Sequence, residues 1–191
     1  MTKDKGVEIK TRPQDAAHPA TENVRLVFPV IVNPQPKALV VHCSDVRFRR
    51  AFRGFIEGDA AKGCLGLKED EYVSLVIPGG VSSFSAALEL PKQFKVAKEQ
   101  VELLVNHFST IDRVVFFNHE DCAAYNALHK QLGGMFLRNL GSLFNRQQWD
   151  LQMMAKGFFS FDISKKLTVT IYMAKFANPE HTQVTMEEVK F

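Results

Sequence analysis

The chain is organised around the stretch Ala38-Leu39-Val40-Val41-His42-Cys43-Ser44-Asp45-Val46-Arg47. Its first half is a short, nearly continuous apolar run, which predicts a strand buried on both faces, as in a parallel sheet. The second half turns polar at once. Beyond it, Phe48, Phe52 and Ile56 recur at helical spacing, so residues 48–57 are predicted to form a helix with arginines on its other face.

Three later segments repeat the strand signature. Residues 72–77 and 113–118 are short apolar runs, and residues 167–176 alternate between apolar and polar positions. Helical patterns separate them, at residues 82–90, 92–108, 123–132 and 147–156. Buried strands that alternate with helices predict an α/β fold, in which helices flank a central, largely parallel β-sheet.

The two ends of the chain are predicted to be irregular. Five prolines fall within residues 1–36, and proline interrupts helices and central strands. We therefore expect residues 1–36 to form an irregular arm, in which residues 24–32 form a short edge strand or lie across a neighbouring subunit, and residues 37–191 to form a single domain. The tail from Asn178 onward is also expected to be irregular.

Composition excludes several functional classes. The net charge of +3 comes from 24 basic and 21 acidic residues, too mild a balance to indicate nucleic acid or an anionic membrane as a partner. No apolar stretch approaches the length of a membrane-spanning helix. Residues 1–11 have no apolar core typical of a secretory signal, and three cysteines favour a reducing compartment. We expect a cytoplasmic protein.

Two predicted strands end in residues that bind metals. Cys43 follows the first, and His119 and Cys122 follow the strand at 113–118. In open α/β sheets, ligands collect beyond the carboxyl ends of strands, where the strand order reverses. Cysteine and histidine together suit tetrahedral Zn²⁺, and three protein ligands leave a fourth position open, as in catalytic sites.

Simpler interpretations compete with this one. A lone cysteine after a buried strand is more often a small apolar residue, and a single His-x-x-Cys occurs by chance. Asp45 also suits the start of the helix that follows it, beside an exposed Arg47. The occurrence of both clusters after apolar strands, one of them with Asp45 and Arg47, favours a metal site.

The paired motif resembles the signature of β-class carbonic anhydrases. The matching residues are Cys-x-Asp-x-Arg at 43–47 and His-x-x-Cys at 119–122, and the resemblance covers roughly residues 38–128. It implies that Cys43, His119 and Cys122 bind Zn²⁺ and that the substrate is a small molecule. The implied reaction is the reversible hydration of CO₂ to bicarbonate by zinc-bound hydroxide, and the implied assembly is a homodimer or higher homo-oligomer.

The resemblance also assigns roles beside the metal. Asp45 is expected to accept a hydrogen bond from zinc-bound water or to occupy the fourth zinc position itself. Arg47 is expected to hold Asp45 by a charge-assisted contact. Both residues count as catalytic in this interpretation.

The sequence departs from the family pattern near the site. Val46 and Ala123 replace a usual serine and glycine, and Pro78-Gly79-Gly80 stands where the family has a polar stretch. Gly79 and Gly80 are expected to line the substrate pocket with backbone. Two alternatives therefore stay open: a non-catalytic relative whose zinc stabilises the fold or an assembly, and a hydrolase of a similar linear molecule such as carbonyl sulfide or carbon disulfide.

For the other residues near the motifs, a role in binding or catalysis is not the first expectation. Cys64 is expected to be a bystander thiol, and His42 is expected to point away from Cys43 because side chains alternate along a strand. Glu120 and Asp121, between the ligands, are either hydrogen-bond partners of the site or solvated turn residues.

Overall fold

The computed structural model describes residues 28–85, 91–131, 147, 163 and 165–190. The chain divides into two compact units, Met1–Ile31 and Val32–Phe191. Every helix and strand of the described part belongs to the second unit. Of the first unit, residues 28–31 are irregular and exposed.

The elements alternate as the apolar runs predict. The strands are β1 (Ala38–His42), β2 (Tyr72–Val76), β3 (Arg113–His119), β4 (Thr168–Phe176) and β5 (Val184–Glu188). The helices are α1 (Val46–Glu57), α2 (Ser82–Ser85), α3 (Pro91–His107) and α4 (Ala123–Gln131), with a short 3₁₀ turn at Ala60–Lys62. The remainder of the helix expected at 82–90 lies outside the described residues. So does the helix expected at 147–156, apart from Gln147, which is helical.

The five strands form one sheet in the order β2-β1-β3-β4-β5. The first four run parallel, with Val40 opposite Ser74 on one side and Val115 on the other. From β1 the chain moves outward to β2 and then returns to the opposite side of β1 to form β3. The strand order therefore reverses between β1 and β3. The prediction of an α/β fold around a largely parallel sheet is confirmed.

The C-terminal tail corrects the sequence-based prediction. We expected irregular chain from Asn178, but Val184–Glu188 pairs antiparallel with β4 and closes that edge of the sheet. A tight turn makes the pairing possible, because the Asn178 side-chain oxygen accepts hydrogen bonds from the backbone of Thr182 and Gln183. Residues 28–32 contain no strand, whereas residues 24–27 lie outside the described part.

Helices cover both faces of the sheet. Leu39 and Val41 point to the face packed by α3, and Ala38 and Val40 point to the face packed by α1. The buried side of α1 consists of three residues at intervals of four: Phe48, Phe52 and Ile56. Burying each of these side chains contributes roughly 1.5–3 kcal/mol. The packing fixes α1, and with it the turn between β1 and α1.

Asp45 begins α1. Its carboxylate accepts a hydrogen bond from the backbone amide of Arg47, which satisfies one of the unpaired amides of the first turn. The helix therefore starts two residues earlier than the phenylalanine spacing predicts. Within the described residues, no helix is both long and apolar enough to cross a membrane.

Candidate metal centre

Three potential metal ligands meet where the strand order reverses. Cys43 is the first residue after β1, His119 is the last residue of β3, and Cys122 immediately precedes α4. All three residues are buried, with Cys43 at 5% exposure and His119 fully covered. The carboxyl ends of two adjacent parallel strands thus deliver their side chains to one point.

The distances within this group fit a single ion. The ligand atoms of Cys43, His119 and Cys122 all lie within 4.8 Å of one another, and the two sulfurs are 3.8 Å apart. Metal–sulfur bonds of about 2.3 Å at a tetrahedral angle place two sulfurs about 3.8 Å apart. A disulfide would need a separation of about 2.05 Å, so the thiols are not bonded to each other.

The histidine presents the nitrogen that a metal requires. His119 Nδ1 lies 2.7 Å from the carbonyl oxygen of Glu120, so Nδ1 carries the proton and donates it. Nε2 is therefore the unprotonated nitrogen, and it is buried without a hydrogen-bond partner. Leaving such an atom unpaired in the interior is costly. An ion bound at Nε2 would remove that cost, and metal-bound histidines commonly donate their other nitrogen in this way.

The backbone of His119 is also held. Its amide donates to the Asn118 side chain, and its carbonyl oxygen accepts a hydrogen bond of 2.9 Å from Gln147 Nε2. Gln147 is itself buried. Sequence reasoning did not identify Gln147, because nothing in its local pattern predicts contact with a residue 28 positions away. The imidazole is fixed from both its ring and its main chain.

The two thiols perturb each other's ionisation. The hydrogen bond between the Cys43 and Cys122 sulfurs holds the pKa of Cys43 well below its usual value despite burial. The same interaction, together with burial, raises the pKa of Cys122. In the absence of a cation, ionisation of one thiol opposes ionisation of the other. A cation that binds both sulfurs would remove this opposition, because it stabilises two thiolates at once.

Arg47 holds Asp45 next to the cluster. Arg47 Nη2 lies 2.8 Å from Asp45 Oδ2, and Arg47 Nε lies 3.1 Å from Oδ1, so the contact is bidentate. Hydrogen bonds from Arg47 keep the pKa of the Asp45 carboxyl below its usual value. Asp45 is also the helix cap, so its position at the start of α1 is confirmed, whereas its role beside a metal stays a prediction. Among the described residues, the group that could hold a metal does not include Asp45.

Gly79 and Gly80 lie against the cluster with backbone that only glycine adopts readily. Their φ angles are 79° and 51°, in the left-handed region. A β-carbon on Gly80 would come within 3.3 Å of the Cys43 amide nitrogen and 3.1 Å of the Phe117 carbonyl oxygen. These glycines let the turn after β2 pack directly on the ligand turn after β1.

A cavity of about 390 Å³ opens beside the ligand turn. Its lining includes Cys43 and Asp45, Tyr72 and Ser74 of β2, and Arg49, which adds a positive charge. His42 also lines this cavity, although its side chain contacts Phe52 at 5.4 Å between ring centroids. Neither Gly79 nor Gly80 lines the cavity, so the expectation that they face substrate stays a prediction.

The remaining candidates have structural partners. Cys64 is half-buried next to Gly58, and it is not part of the group that could hold a metal. The Glu120 carboxylate accepts a hydrogen bond of 2.9 Å from the backbone of Phe176, which ties the ligand turn to β4. Asp121 lies between the ligands with a positive φ of 50° and contacts Arg47.

Comparison with known proteins shows similarity in fold. The sequence matches no protein-family model and no curated protein. Among solved structures, the chain is similar to the carbonic anhydrase of Streptococcus mutans, with a TM-score of 0.51 and 13% identity over 85% of this chain and 88% of that one. The expected likeness to carbonic anhydrases is therefore confirmed for the fold.

Two further carbonic anhydrases show weaker similarity. The β-carbonic anhydrase of Aspergillus fumigatus has a TM-score of 0.48 and 14% identity, over 82% of this chain and 76% of that one. The carbonic anhydrase of Glaciozyma antarctica has a TM-score of 0.46 and 14% identity, over 82% and 83%.

Proposed function

We propose that this protein is a zinc-dependent lyase of the carbonic anhydrase type, which catalyses the reversible hydration of CO₂ to bicarbonate. The observation that carries the proposal is the buried His119 Nε2, which has no partner and lies with two thiols whose spacing suits one tetrahedral ion. The shared fold with the Streptococcus mutans carbonic anhydrase supports it. The Asp45–Arg47 pair beside the ligands supplies groups that a purely structural zinc site does not need.

In this proposal some residues bind the metal and others orient the attacking water. Cys43, His119 and Cys122 would hold Zn²⁺, which supplies Lewis-acid activation of a water molecule at neutral pH. Asp45 stays ionised because Arg47 donates two hydrogen bonds to it, so its carboxylate can accept a hydrogen bond from the attacking water and aim it at the carbon atom. Arg47 acts through Asp45, since it fixes the direction of the carboxylate.

The cavity beside Cys43 provides a route for a small substrate. Its volume of about 390 Å³ far exceeds the needs of a linear triatomic molecule, and its wall combines apolar surface from Phe52 with the charge of Arg49. An apolar surface accepts CO₂, whereas a cation attracts the bicarbonate product.

A second candidate function is a zinc protein without turnover. Pro78-Gly79-Gly80 occupies the turn packed on Cys43, and the left-handed glycines leave no side chain there to bind a substrate. In that case zinc would stabilise the fold or an assembly. A hydrolase of carbonyl sulfide or carbon disulfide, with the same ligands and a different pocket, is the remaining alternative.

Assembly and location belong to the same proposal. We expect a homodimer or larger homo-oligomer, since 16 phenylalanines provide much apolar surface for packing between subunits. A cytoplasmic location fits three cysteines that serve as ligands or bystanders.

The test measures zinc content and CO₂ hydration on the same preparations. Wild-type protein should hold about one zinc per chain and hydrate CO₂ faster than buffer in a stopped-flow assay. Cys43→Ala should lose the metal, whereas Cys64→Ala, which removes the cysteine outside the cluster, should keep it. Zinc-loaded wild type with only the buffer rate would overturn the lyase and leave the second candidate. A folded wild type that binds no zinc would overturn both.

A further inference from the structure

The candidate ligands lie on two segments of the chain, at the ends of β1 and β3, that no β1–β3 residue pair joins directly. The last residue pair between β1 and β3 is Val41 with Phe116, and all three candidate ligands lie beyond it. Cys43 therefore lies just after β1 on one segment, whereas His119 at the end of β3 and Cys122 on the turn after it lie on the other. A metal site split in this way needs a further connection to keep its sulfurs and nitrogen at a fixed separation.

Arg47 makes that connection with both ends of its guanidinium. On the first turn, its Nε and Nη2 atoms donate to the Asp45 carboxylate. On the second turn, Nη1 donates to Asp121 Oδ2 and Nη2 donates to the Asp121 carbonyl oxygen, each at 3.0 Å. Four of the five N–H groups of the guanidinium are thus engaged by two residues.

The backbone of Asp121 is adapted to this contact. Its φ of 50° lies in the left-handed region, which aspartate tolerates better than most residues other than glycine. In this structure the carbonyl oxygen and the carboxylate of Asp121 both reach Arg47. Cys122 follows directly, so the orientation of Asp121 also sets the position of the next residue, a ligand.

We propose that Asp121 is a positioning residue of the metal centre, and that it clamps the two ligand turns together through Arg47. This inference rests on the proposed metal site, and it assigns a function to a residue outside the ligand set. The clamp fixes how far Cys43 can move from Cys122 and how firmly the metal is retained.

An ordinary surface ion pair would not have this effect. Arg47 and Asp121 are exposed by 47% and 57%, and isolated pairs at such exposure contribute little. Here the guanidinium is already immobilised by Asp45 and lies over the Phe48 ring, 5.7 Å from its centroid. The bond to Asp121 therefore costs little additional side-chain entropy.

The experiment follows the release of zinc from holoprotein to a chromophoric chelator. Asp121→Asn keeps the size of the side chain and removes its charge, and Asp121→Gly removes the side chain while favouring the same φ. We expect both variants to release zinc about tenfold faster than wild type, because contacts around the ligands typically contribute factors of 10 to 100 in affinity and Asp121 directly precedes Cys122. The matched control is Asp59→Asn, a distant cap of a short turn, which should release zinc at the wild-type rate.

A double-mutant cycle identifies the route of the effect. In an Arg47→Gln background, Asp121→Asn should accelerate release little further, because the partner of the carboxylate is already gone. Fully additive effects would overturn the clamp. Wild-type release from both Asp121→Asn and Asp121→Gly would overturn it as well.

A second readout separates this proposal from the proposed function. The Arg47 Nε–H signal in a ¹H–¹⁵N spectrum, assigned with Arg47→Lys, should shift in both Asp121 variants whether or not zinc is bound. A zinc-free wild type would overturn the metal site, whereas an unchanged Arg47 signal in both variants would overturn the clamp.

Discussion

The Phe48 ring lies 4.1 Å from the His119 ring, measured between centroids, and the two planes are tilted by 31°. Phe48 is 1% exposed and also contacts Phe52 and Phe176, so the candidate ligand rests on the aromatic core between α1 and the sheet. The position of the imidazole is therefore tied to the packing of α1.

Truncation of Phe48 should destabilise the protein strongly. Phe48→Ala removes a buried ring and leaves a cavity, which should lower the free energy of unfolding by about 3–5 kcal/mol. Val46→Ala, at a position of the same helix that is 80% exposed, should change it by less than about 0.5 kcal/mol. Guanidinium unfolding of both variants measures the difference, and equal losses would show that this face of α1 is not packed as described.

The two functions of Asp45 can be separated. Asp45→Ala removes the helix cap and should cost about 1 kcal/mol of stability, whereas Asp45→Asn keeps a capping oxygen and should cost far less. Both variants should lose at least about tenfold in CO₂ hydration, since neither has a carboxylate for Arg47 to direct. Denaturant unfolding and stopped-flow rates on the same samples test this, and full activity in Asp45→Asn would reduce Asp45 to a cap.

Gly80 should resist substitution. Gly80→Ala adds a β-carbon close to Cys43 and to the Phe117 carbonyl oxygen and strains a φ of 51°, so we expect a loss of about 1–3 kcal/mol. Gly54→Ala provides the opposite control, because Gly54 lies within α1 with open space around it, and alanine there should gain about 0.5–1 kcal/mol. Thermal or denaturant unfolding of the two variants should give changes of opposite sign.

The raised pKa of Tyr72 should make the stability of the protein depend on pH in the alkaline range. Burial and a hydrogen bond of 2.9 Å to Glu57 raise the pKa of Tyr72 to about 12, compared with about 10 in an unfolded chain. A raised pKa in the folded state means that the contribution of Tyr72 is complete below pH 10 and disappears as the pH rises to about 12. The difference in unfolding free energy between wild type and Tyr72→Phe should therefore shrink over this range. A constant difference would contradict the raised pKa.

Sequence reasoning was most successful for the buried strands and least successful at the edge of the sheet. β1 and β3 were predicted because strands covered on both faces have nearly continuous apolar sequences. β5 was missed because it is largely exposed and carries acidic residues such as Glu187 and Glu188, so it lacks such a run. Its position depends on pairing with β4 and on the Asn178 turn, and neither leaves a local hydrophobic signal.

In the candidate site, too, features with a local sequence signal were predicted and features that depend on distant contacts were not. The grouping of Cys43, His119 and Cys122 could be predicted because their residue types and their places at strand ends are visible in the sequence. The contacts that hold them are not, since Gln147 reaches the His119 carbonyl oxygen across 28 positions and Asp121 reaches Arg47 across 74. The only local signal for Asp121 is its residue type, which tolerates a left-handed conformation.

The division of the ligands between two strands also bears on the order of folding. Cys43 and Cys122 are 79 residues apart, so bringing them together closes a long loop. The entropy lost in closing that loop must be offset by the free energy of non-local contacts. The two main core clusters contain none of the three ligands, and they can assemble the sheet without an ion. On the proposed function, metal binding should therefore come late, when β1 and β3 already lie side by side. An ion held by Cys43, His119 and Cys122 would therefore report that β1 and β3 are already paired.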